Sequence, residues 1–564
     1  MKNTFLPLLF LLLILSPFHN AFSRTPVKAK NGMAVTADPF ASTVGMQILK
    51  QGGNAVDAAV AVGFALAVTY PAAGNIAGGG FMNIRFADGK CVTIDYRETA
   101  PSGASRDMFL DSNKNFIKEK STLGHLAAGV PGSVDGLLAA LERYGTMSRR
   151  QVMKPAIDLA INGFPLPPEL ADGLNKARSS FEKFPGSKKY FTSKDSIFRE
   201  GEKWTQADLG KTLKRIAEKG RDGFYKGKTA DLIVKEMERG GGLITHSDLE
   251  NYRSLIHEPV KGTYRGFEII SQPPASSGGI ALIQLLNILE QYELKSYGHN
   301  SAGTLHRYIE AMRRVYADRA EHLGDPDFYS VPVEWLTSKA YAKELRGSID
   351  TISAGSSSVI SHGIPPPREH EQTTHYSIVD KWRNCVSVTT TLNGSFGNFV
   401  AVDGAGFLLN NEMDDFSAKP GVPNVYGAVG NVANEIQPGK RMLSSMTPTI
   451  VLKDGAPFMV IGTPGGTTII TTVMQVICNV IDFGMNIRQA IDAPRIHHQW
   501  IPDTVYYEKR GLSMDTVEKL HVMGHTLSER EGTSGLAEGI IIDTIHGILY
   551  GAADPRGYGT ASGY

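Results

Sequence analysis

The sequence predicts an α+β protein in which stacked β-sheets lie between layers of helices. An apolar, helix-length run near the N-terminus is followed by a hairpin pattern. A long middle region carries helical patterns, and the C-terminal third alternates hairpins with one apolar helix. Strands that are apolar on both faces, with helices before and after them, pack best as face-to-face sheets covered by helices.

The first predicted elements are a buried helix and a hairpin. Residues 52–54 read Gly-Gly-Asn and precede residues 55–70, which are rich in Ala and Val. This run is long enough for a helix and apolar on nearly every side, which predicts burial. Three glycines at 78–80 follow, and residues 81–86 and 91–96 flank an Asp-Gly turn as two strands would.

The rest of the chain divides into a helical middle and a C-terminal part dominated by hairpins. Residues 126–349 are mainly helical by pattern, and no internal repeat is present. Turn signals and strand patterns predict three hairpins and one helix after the middle region. The hairpins are 374–380 with 385–391, 449–452 with 458–462, and 540–543 with 548–550, and the helix is 467–481.

Bulk composition is that of an ordinary soluble globular protein. The chain has 564 residues, of which 42% are hydrophobic and 20% are charged, so a large core or several domains are possible. A formal net charge of +1 gives no electrostatic reason to expect a nucleic-acid partner or an acidic membrane surface.

The N-terminus has the pattern of a secretion signal. Lys2 is followed by an apolar run over residues 5–15 and then by Ala21-Phe22-Ser23, which predicts a signal peptide at residues 1–23. The run is too short to span a bilayer, and no cysteine follows closely, so we expect no membrane anchor. The alternative is a buried first strand. We expect an exported protein, periplasmic or secreted.

Cysteines and histidines give no indication of a metal or cofactor. The three cysteines, Cys91, Cys385 and Cys478, are too few for a disulfide framework, although one pair is possible. No Cys/His array has zinc spacing, and the adjacent His497 and His498 would point to opposite sides of a strand. We expect no metal and no cofactor.

Thr373 is the most informative position. The preceding segment, 352–372, is rich in Ser, Pro and charge and should be exposed, whereas a strand pattern begins at Thr374. If the Gln372–Thr373 bond is cut, Thr373 carries both a hydroxyl and an α-amine. Because that amine has a pKa of roughly 7.7–8.0, it can take the hydroxyl proton and serve as the base. The alternative is a surface loop that enters a strand.

Two further clusters suggest a site for a charged acyl substrate. Gly465-Gly466 lies between a strand and a helix, where free amides could hold an oxyanion or simply form a turn. The acidic cluster of Glu412, Asp414 and Asp415 could bind an ammonium or be a solvated turn.

A guanidinium and two hydroxyls could complete the pocket. Arg97 follows a predicted strand and could clamp a carboxylate or be a surface arginine. Ser444 and Ser445 could add donors to the same carboxylate or belong to a polar loop. Together these groups describe a pocket for a zwitterion beside an acyl-transfer nucleophile.

These motifs resemble, in order and over essentially the whole mature chain, the γ-glutamyltransferase (γ-glutamyltranspeptidase) family of N-terminal nucleophile hydrolases. The motifs that carry the resemblance are Gly53-Asn54-Ala55-Val56-Asp57-Ala58, Gly78-Gly79-Gly80-Phe81, Asp95-Tyr96-Arg97-Glu98, Gln372-Thr373-Thr374-His375-Tyr376-Ser377, Thr391-Leu392-Asn393, Asn410-Asn411-Glu412-Met413-Asp414-Asp415-Phe416, Leu443-Ser444-Ser445-Met446-Thr447-Pro448, Thr463-Pro464-Gly465-Gly466 and Gly563-Tyr564.

The resemblance implies a four-layer αββα sandwich built from two subunits of one cleaved precursor. The large subunit would be 24–372 and the small subunit 373–564, after self-cleavage between Gln372 and Thr373. The roles that the resemblance implies are Thr373 as nucleophile, Thr391 as a partner of its amine, Asn393, Glu412 and Asp415 for the substrate ammonium, Arg97, Ser444 and Ser445 for its α-carboxylate, Gly465 and Gly466 as the oxyanion hole, and Tyr426 in a lid at 420–434.

The resemblance also implies the substrates: glutathione and other γ-glutamyl compounds as donors, and water, amino acids or dipeptides as acceptors. Two alternatives stay open. One is a glutaryl or cephalosporin-type acylase of the same fold, against which the zwitterion set argues. The other is a secreted, unprocessed binding protein, against which Gln372-Thr373 and Thr391 argue.

Overall fold

The computed structural model describes residues 25–194, 197–360, 373–419, 421–422, 424 and 427–564. The predicted signal peptide at 1–23, Gln372 of the predicted cleavage site and the lid residue Tyr426 lie outside the described residues.

The helices and strands follow one another along the whole described chain. The helices are α1 Pro39–Lys50, α2 Ala55–Thr69, α3 Lys118–Thr122, α4 Ser133–Tyr144, α5 Arg149–Asn162, α6 Pro168–Lys176, α7 Arg178–Phe181, α8 Pro185–Phe191, α9 Ala207–Lys219, α10 Asp222–Tyr225, α11 Gly227–Gly240, α12 His246–Asn251, α13 Gly278–Leu289, α14 Leu294–Tyr297, α15 Ala302–His322, α16 Val333–Leu336, α17 Lys339–Gly347, α18 Thr468–Ile481, α19 Ile487–Asp492 and α20 Met514–Val522. The strands are β1 Val27–Ala29, β2 Met33–Thr36, β3 Gly79–Arg85, β4 Cys91–Asp95, β5 Phe164–Pro165, β6 Lys203–Trp204, β7 Leu255–His257, β8 Val260–Tyr264, β9 Phe267–Ser271, β10 Thr374–Val379, β11 Cys385–Thr391, β12 Thr449–Lys453, β13 Ala456–Gly462, β14 Ile496–His497, β15 Val505–Glu508, β16 Leu527–Arg530, β17 Glu538–Asp543, β18 Ile548–Ala553 and β19 Thr560–Gly563.

Two seven-stranded antiparallel sheets form the centre of the molecule. The β10 sheet has the order β19-β2-β10-β11-β3-β4-β7, and the β12 sheet has the order β1-β18-β17-β13-β12-β9-β8. Their inner faces share one apolar cluster that includes Val35, Val379, Ile450 and Ile540. The predicted stacking of two sheets is confirmed.

Helices cover the outer face of each sheet. On β10, Ile378 points away from the neighbouring Val379 and joins the cluster of α1, α2 and α4, as the two-residue period of a strand requires. On the other side, Val451 and Ile461 of the β12 sheet pack with α13, α15 and α18. The layers therefore run helix, sheet, sheet, helix, in an α+β fold.

Helix α2 shows how the sequence fixes one layer. Asn54 caps its first turn and forms a capping box with Asp57, which satisfies amides that a helix start leaves free. The Asp57 carboxylate also accepts hydrogen bonds from the amides of Thr146 and Met147. Every residue of α2 is buried. The predicted buried helix is confirmed and ends one residue earlier than expected.

The hairpins predicted in the C-terminal third are all present, as β10–β11, β12–β13 and β17–β18. The middle region differs from the prediction, because β7, β8 and β9 lie within it and extend the two sheets. No helix among the described residues is both long and apolar enough to cross a bilayer. All three cysteines are buried and unpaired.

Candidate active site

Thr373 lies immediately before β10 and is buried, with 5% of its surface exposed. Strand pairing aligns Thr374 with Thr390, so the antiparallel register brings Thr373 opposite Thr391. Both threonines line the same cavity.

The cavity brings together most of the residues singled out from the sequence. They come from distant parts of the chain and converge on Thr373. The lining residues among them are Arg97, Thr373, Thr391, Asn393, Glu412, Asp415, Ser444, Ser445 and Gly466. Gly465 is the neighbour of a lining residue, and Tyr426 lies outside the part of the chain that the structure describes.

Arg97 is fully buried and forms ion pairs with Glu412 and Asp415. Its Nε also donates to the carbonyl of Met442 at 3.2 Å. A buried guanidinium requires such partners, because an isolated buried charge is very unfavourable. The residue predicted to bind a substrate carboxylate thus contacts two residues predicted to bind a substrate ammonium.

Three carboxyl groups surround the single positive charge of Arg97. Glu98 adds a third carboxylate oxygen at 3.6 Å from the Arg97 guanidinium. Burial raises the pKa of Glu412 to about 7, with Asp415 adding to the rise and Arg97 opposing it. Burial, and then Glu412, raise the pKa of Glu98 well above its usual value. The excess of acidic groups suits a cationic ligand.

Asn393 and Asn424 lie beside this acidic group. Asn393 has a left-handed backbone, with φ of 70°, and its amide donates to Thr391 Oγ1 at 2.7 Å. Its side-chain amide donates to the Asn411 carbonyl at 2.9 Å. Asn424 Nδ2 donates to Asp415 Oδ1 at 3.1 Å, so the described part of the predicted lid contacts the site directly.

Ser444 and Ser445 are held by residues that sequence reasoning missed. The Ser444 carbonyl accepts hydrogen bonds from Ser277 N at 2.8 Å and from Ser277 Oγ at 2.6 Å. Ser445 Oγ accepts one from Arg319 Nη2 at 2.9 Å. Arg319 lies in the last turn of α15, and nothing in the helical pattern distinguishes it from the other arginines of that helix.

Gly465 and Gly466 form the turn that leads into α18. Their φ values of 136° and 51° belong to the left-handed region that glycine tolerates best. No described residue accepts a hydrogen bond from either amide. The N-terminus of α18 adds its own partial positive charge, so the turn is suited to hold an oxyanion.

His375 does not serve the site. It is buried, and its ring nitrogens face Thr389 Oγ1 at 3.0 Å and Ser377 Oγ at 3.1 Å. Burial lowers its pKa to about 3, so its imidazole is neutral. His370 lies outside the described residues. Within the described ranges, no group of three or more His, Cys, Asp or Glu side chains could hold a metal ion.

Comparison with known proteins agrees with this geometry. The sequence model of the family described as Gamma-glutamyltranspeptidase matches residues 41–564. A glutathione hydrolase proenzyme of Escherichia coli (strain K12) is 51% identical over 532 residues, which cover 94% of this chain and 91% of that protein.

Two solved structures are similar as well. A cephalosporin acylase from Bacillus halodurans superimposes with a TM-score of 0.87 at 30% identity, covering 98% of this chain and 99% of that one. A chain of Helicobacter pylori gamma-glutamyltranspeptidase has a TM-score of 0.58 at 47% identity and covers 60% of this chain and 98% of its own length.

Proposed function

The chain belongs to the γ-glutamyltranspeptidase family, and on that premise we propose that the cavity around Thr373 binds the γ-glutamyl group of its substrates. The protein is an enzyme made as a precursor. It transfers the γ-glutamyl group of glutathione and related amides to amino acids, peptides or water. The residues that do so, and their roles, are the proposal.

Thr373 attacks the γ-carbonyl carbon of the substrate through its hydroxyl oxygen, and its own α-amine accepts the proton. The amides of Gly465 and Gly466 hold the resulting oxyanion. Collapse of this intermediate breaks the amide bond, and the Thr373 ammonium returns the proton to the leaving amine. Water or an amino acid then attacks the acyl-enzyme ester and releases Thr373. Loss of one oxyanion donor typically lowers the rate by ~10²–10³.

The ion pairs of Arg97 with Glu412 and Asp415 carry the proposal. A zwitterionic γ-glutamyl head group can enter between these charges. Its α-carboxylate then pairs with Arg97, while its ammonium pairs with Asp415 and Glu412, so neither buried charge is left alone. The substrate thus replaces an internal ion pair with two new ones.

Precursor cleavage supplies the α-amine of Thr373. We place the cut between Gln372 and Thr373, giving a large subunit of 24–372 and a small subunit of 373–564. The name proenzyme of the Escherichia coli relative supports a cut. So does the Helicobacter pylori chain, which is matched over 98% of its length by only 60% of this chain. The signal peptide at 1–23, export, and closure of the cavity by Tyr426 belong to the same proposal.

A glutaryl acylase is the competing function, since one similar structure is named a cephalosporin acylase. A glutaryl group keeps the terminal carboxylate of a γ-glutamyl group but lacks its α-amine. The carboxylates of Glu412 and Asp415 would then have no cationic partner on the substrate. These charges therefore favour the γ-glutamyl substrate.

Two anilides test this choice. γ-Glutamyl anilide and glutaryl anilide, which differ only in the α-amine, are compared on the native enzyme, Asp415→Ala and Arg97→Ala. We expect the native enzyme to prefer γ-glutamyl anilide and Asp415→Ala to lose most of that preference, because the substrate ammonium loses its partner. Arg97→Ala should slow the turnover of both anilides, since both carry the carboxylate. Arg106→Ala, which removes a surface ion pair with Glu435, is the control. Equal or better glutaryl turnover by the native enzyme would establish the acylase instead.

A further inference from the structure

Arg319 is a buried cation at the edge of the cavity, and the mechanism above does not use it. It lines the cavity together with Thr373 and Ser445, and only 6% of its surface is exposed. Its Nε donates to Ser277 Oγ at 3.0 Å and its Nη2 to Ser445 Oγ at 2.9 Å. Two buried serine hydroxyls are its hydrogen-bond acceptors among the described residues.

These contacts determine how the hydroxyls can donate. A guanidinium has donors only, so Ser445 Oγ uses a lone pair toward Arg319 and must direct its own proton elsewhere. No described residue takes that proton. Ser277 Oγ uses a lone pair in the same way and donates its proton to the Ser444 carbonyl at 2.6 Å. Arg319 therefore leaves the Ser445 proton available to the cavity and indirectly fixes the Ser444 backbone.

The charge of Arg319 is also unlike that of Arg97. Arg97 contacts three carboxylates, so its positive charge is already compensated. No described carboxylate lies within ion-pair distance of Arg319. Burial lowers the pKa of its guanidinium, while Tyr316 and Asp415, which acts from beyond ion-pair distance, oppose that change. A buried cation without a paired anion attracts an anion into the adjacent space. In the described part of the cavity lining, Arg319 is such a cation, because Asp415, the carboxylate that acts on it, forms its close ion pair with Arg97.

We propose that Arg319 is a positioning residue that aims the Ser445 hydroxyl at the substrate α-carboxylate and supplies the unpaired positive charge that draws this carboxylate into the cavity. The inference rests on the proposed function, because it concerns the same γ-glutamyl head group. Two arginines would then attract the substrate α-carboxylate in different ways. Arg97 binds it by giving up a contact with Glu412 or Asp415, whereas Arg319 attracts it without breaking an ion pair.

The test compares two anilides that differ only in the α-carboxylate. γ-Glutamyl anilide carries it, and γ-aminobutyryl anilide keeps the amine but lacks the carboxylate. For Arg319→Gln we expect KM for γ-glutamyl anilide to rise about 10- to 100-fold, the value of a hydrogen bond to a charged group. The kcat should change by less than about 3-fold, because the lost interaction stabilises the bound substrate and the transition state equally. KM for γ-aminobutyryl anilide should stay within about 2-fold.

Further variants separate positioning from structural damage. Arg319→Lys keeps the charge and should recover part of the KM. Ser277→Ala, which removes one acceptor without a large change in volume, should shift the same substrate preference in the same direction by a smaller factor. Arg307→Gln is the matched control, because Arg307 lies on the same helix with the same 6% exposure but stacks over Tyr297 at 3.8 Å.

The possible outcomes distinguish this inference from the proposed function. If Arg319→Gln and Ser277→Ala slow both anilides equally, or leave the preference for the α-carboxylate unchanged, the inference is overturned while γ-glutamyl transfer stands. If Arg319→Gln does not fold, an unchanged preference in Arg319→Lys and Ser277→Ala overturns it as well. A native enzyme that prefers glutaryl anilide would overturn the proposed function, and this inference with it.

Discussion

At the residue scale, the cavity contains charges whose partners must change when the substrate binds. Arg97 can meet a substrate carboxylate only by loosening its contact with Asp415 or Glu412, and those carboxylates then need the substrate ammonium. A ligand with only one of the two charges leaves a buried group underpaired, at a cost of about 2–5 kcal/mol. Selectivity for a zwitterion follows from this exchange.

The protonation of Glu412 gives a pH prediction. Burial raises the pKa of Glu412 to about 7, so it is ionised and able to hold an ammonium only above that pH. The Thr373 amine, at roughly 7.7–8.0, must also lose its proton. Below about pH 6.5 the logarithm of kcat/KM should therefore fall with a slope near 2, because kcat/KM reports the free enzyme.

Substitution isolates the Glu412 contribution. In Glu412→Gln the slope should drop to about 1, because only the Thr373 amine still titrates. The measurement is kcat/KM for γ-glutamyl anilide from pH 5 to 9 on both enzymes. Profiles that superimpose below pH 7 after scaling would show that Glu412 does not titrate in this range.

Thr373 itself gives the processing prediction. Its hydroxyl should attack the Gln372 carbonyl and form an ester that water opens, so purified native protein should give two bands on a denaturing gel. Thr373→Ala should remain one band, and Thr373→Ser should still be cut because it keeps a hydroxyl. N-terminal sequencing of the smaller band should begin at Thr373. Self-cleavage of Thr373→Ala at the same bond would refute the mechanism.

The sequence predicted which residues belong to the site better than it predicted which of them contact one another. Thr373, Asp415 and Ser444 belong to local motifs, and the structure places them in one cavity. The contact of Arg97 with Glu412 spans 315 positions, and no local pattern encodes such a distance. Arg319 could not be found from the sequence, because its role depends on the lack of a close ion-pair partner among the described residues, and packing determines that.

At the element scale, the ends of β10 and β11 position the threonines, and Gly78 limits how β11 can move. A Cβ added at Gly78 would lie 2.0 Å from the Thr391 carbonyl oxygen, closer than any real contact. The backbone at Thr391 passes so close to residue 78 that only glycine, which has no side chain, fits at that position. The glycine run at 78–80 thus marks a close approach of two backbone segments.

Gly78→Ala should therefore impair the site without removing any functional group. The added methyl must push Thr391 away from Thr373, and a shift of about 1 Å can cost about 10²-fold in rate. We expect slower appearance of the two bands and a kcat about 10- to 100-fold lower. Gly347→Ala, where a Cβ meets nothing within 4 Å, is the control. Native processing in Gly78→Ala would show that the β11 end tolerates displacement.

Helices and strands could be predicted where the hydrophobic pattern was consistent over a long enough segment. Helix α2 and the hairpin β10–β11 have long, consistent patterns, and the structure confirms them. Strands β7, β8 and β9 were missed because they are short and lie near the sheet edges. In β8 only the first and last of five residues are buried, which gives too little apolar alternation to predict a strand. Their place in the sheets is set by pairing with distant strands.

At the scale of the whole molecule, the chain on each side of the Gln372–Thr373 bond contributes to both sheets. In the β10 sheet, β2 lies between β10 and β19, and β3 pairs with β11. In the β12 sheet, β1 pairs with β18, and β9 pairs with β12. Both sheets are thus built from strands of the two proposed subunits, which are interleaved without strict alternation. Each would lose paired backbone groups and core contacts on separating, and buried unpaired groups are costly.

Cleavage should consequently leave one particle. The cut native protein should elute from a sizing column at the position of the intact Thr373→Ala precursor, and its two chains should part only in denaturant. A small subunit expressed alone from Thr373 should not fold, because β10, β11 and β19 would lack β2 and β3, and an incomplete sheet leaves strand edges open to aggregation. Expressing both segments together should restore soluble protein. Separation of the cut chains in native buffer would mean that the strand pairs across the cut contribute far less than this interleaving implies.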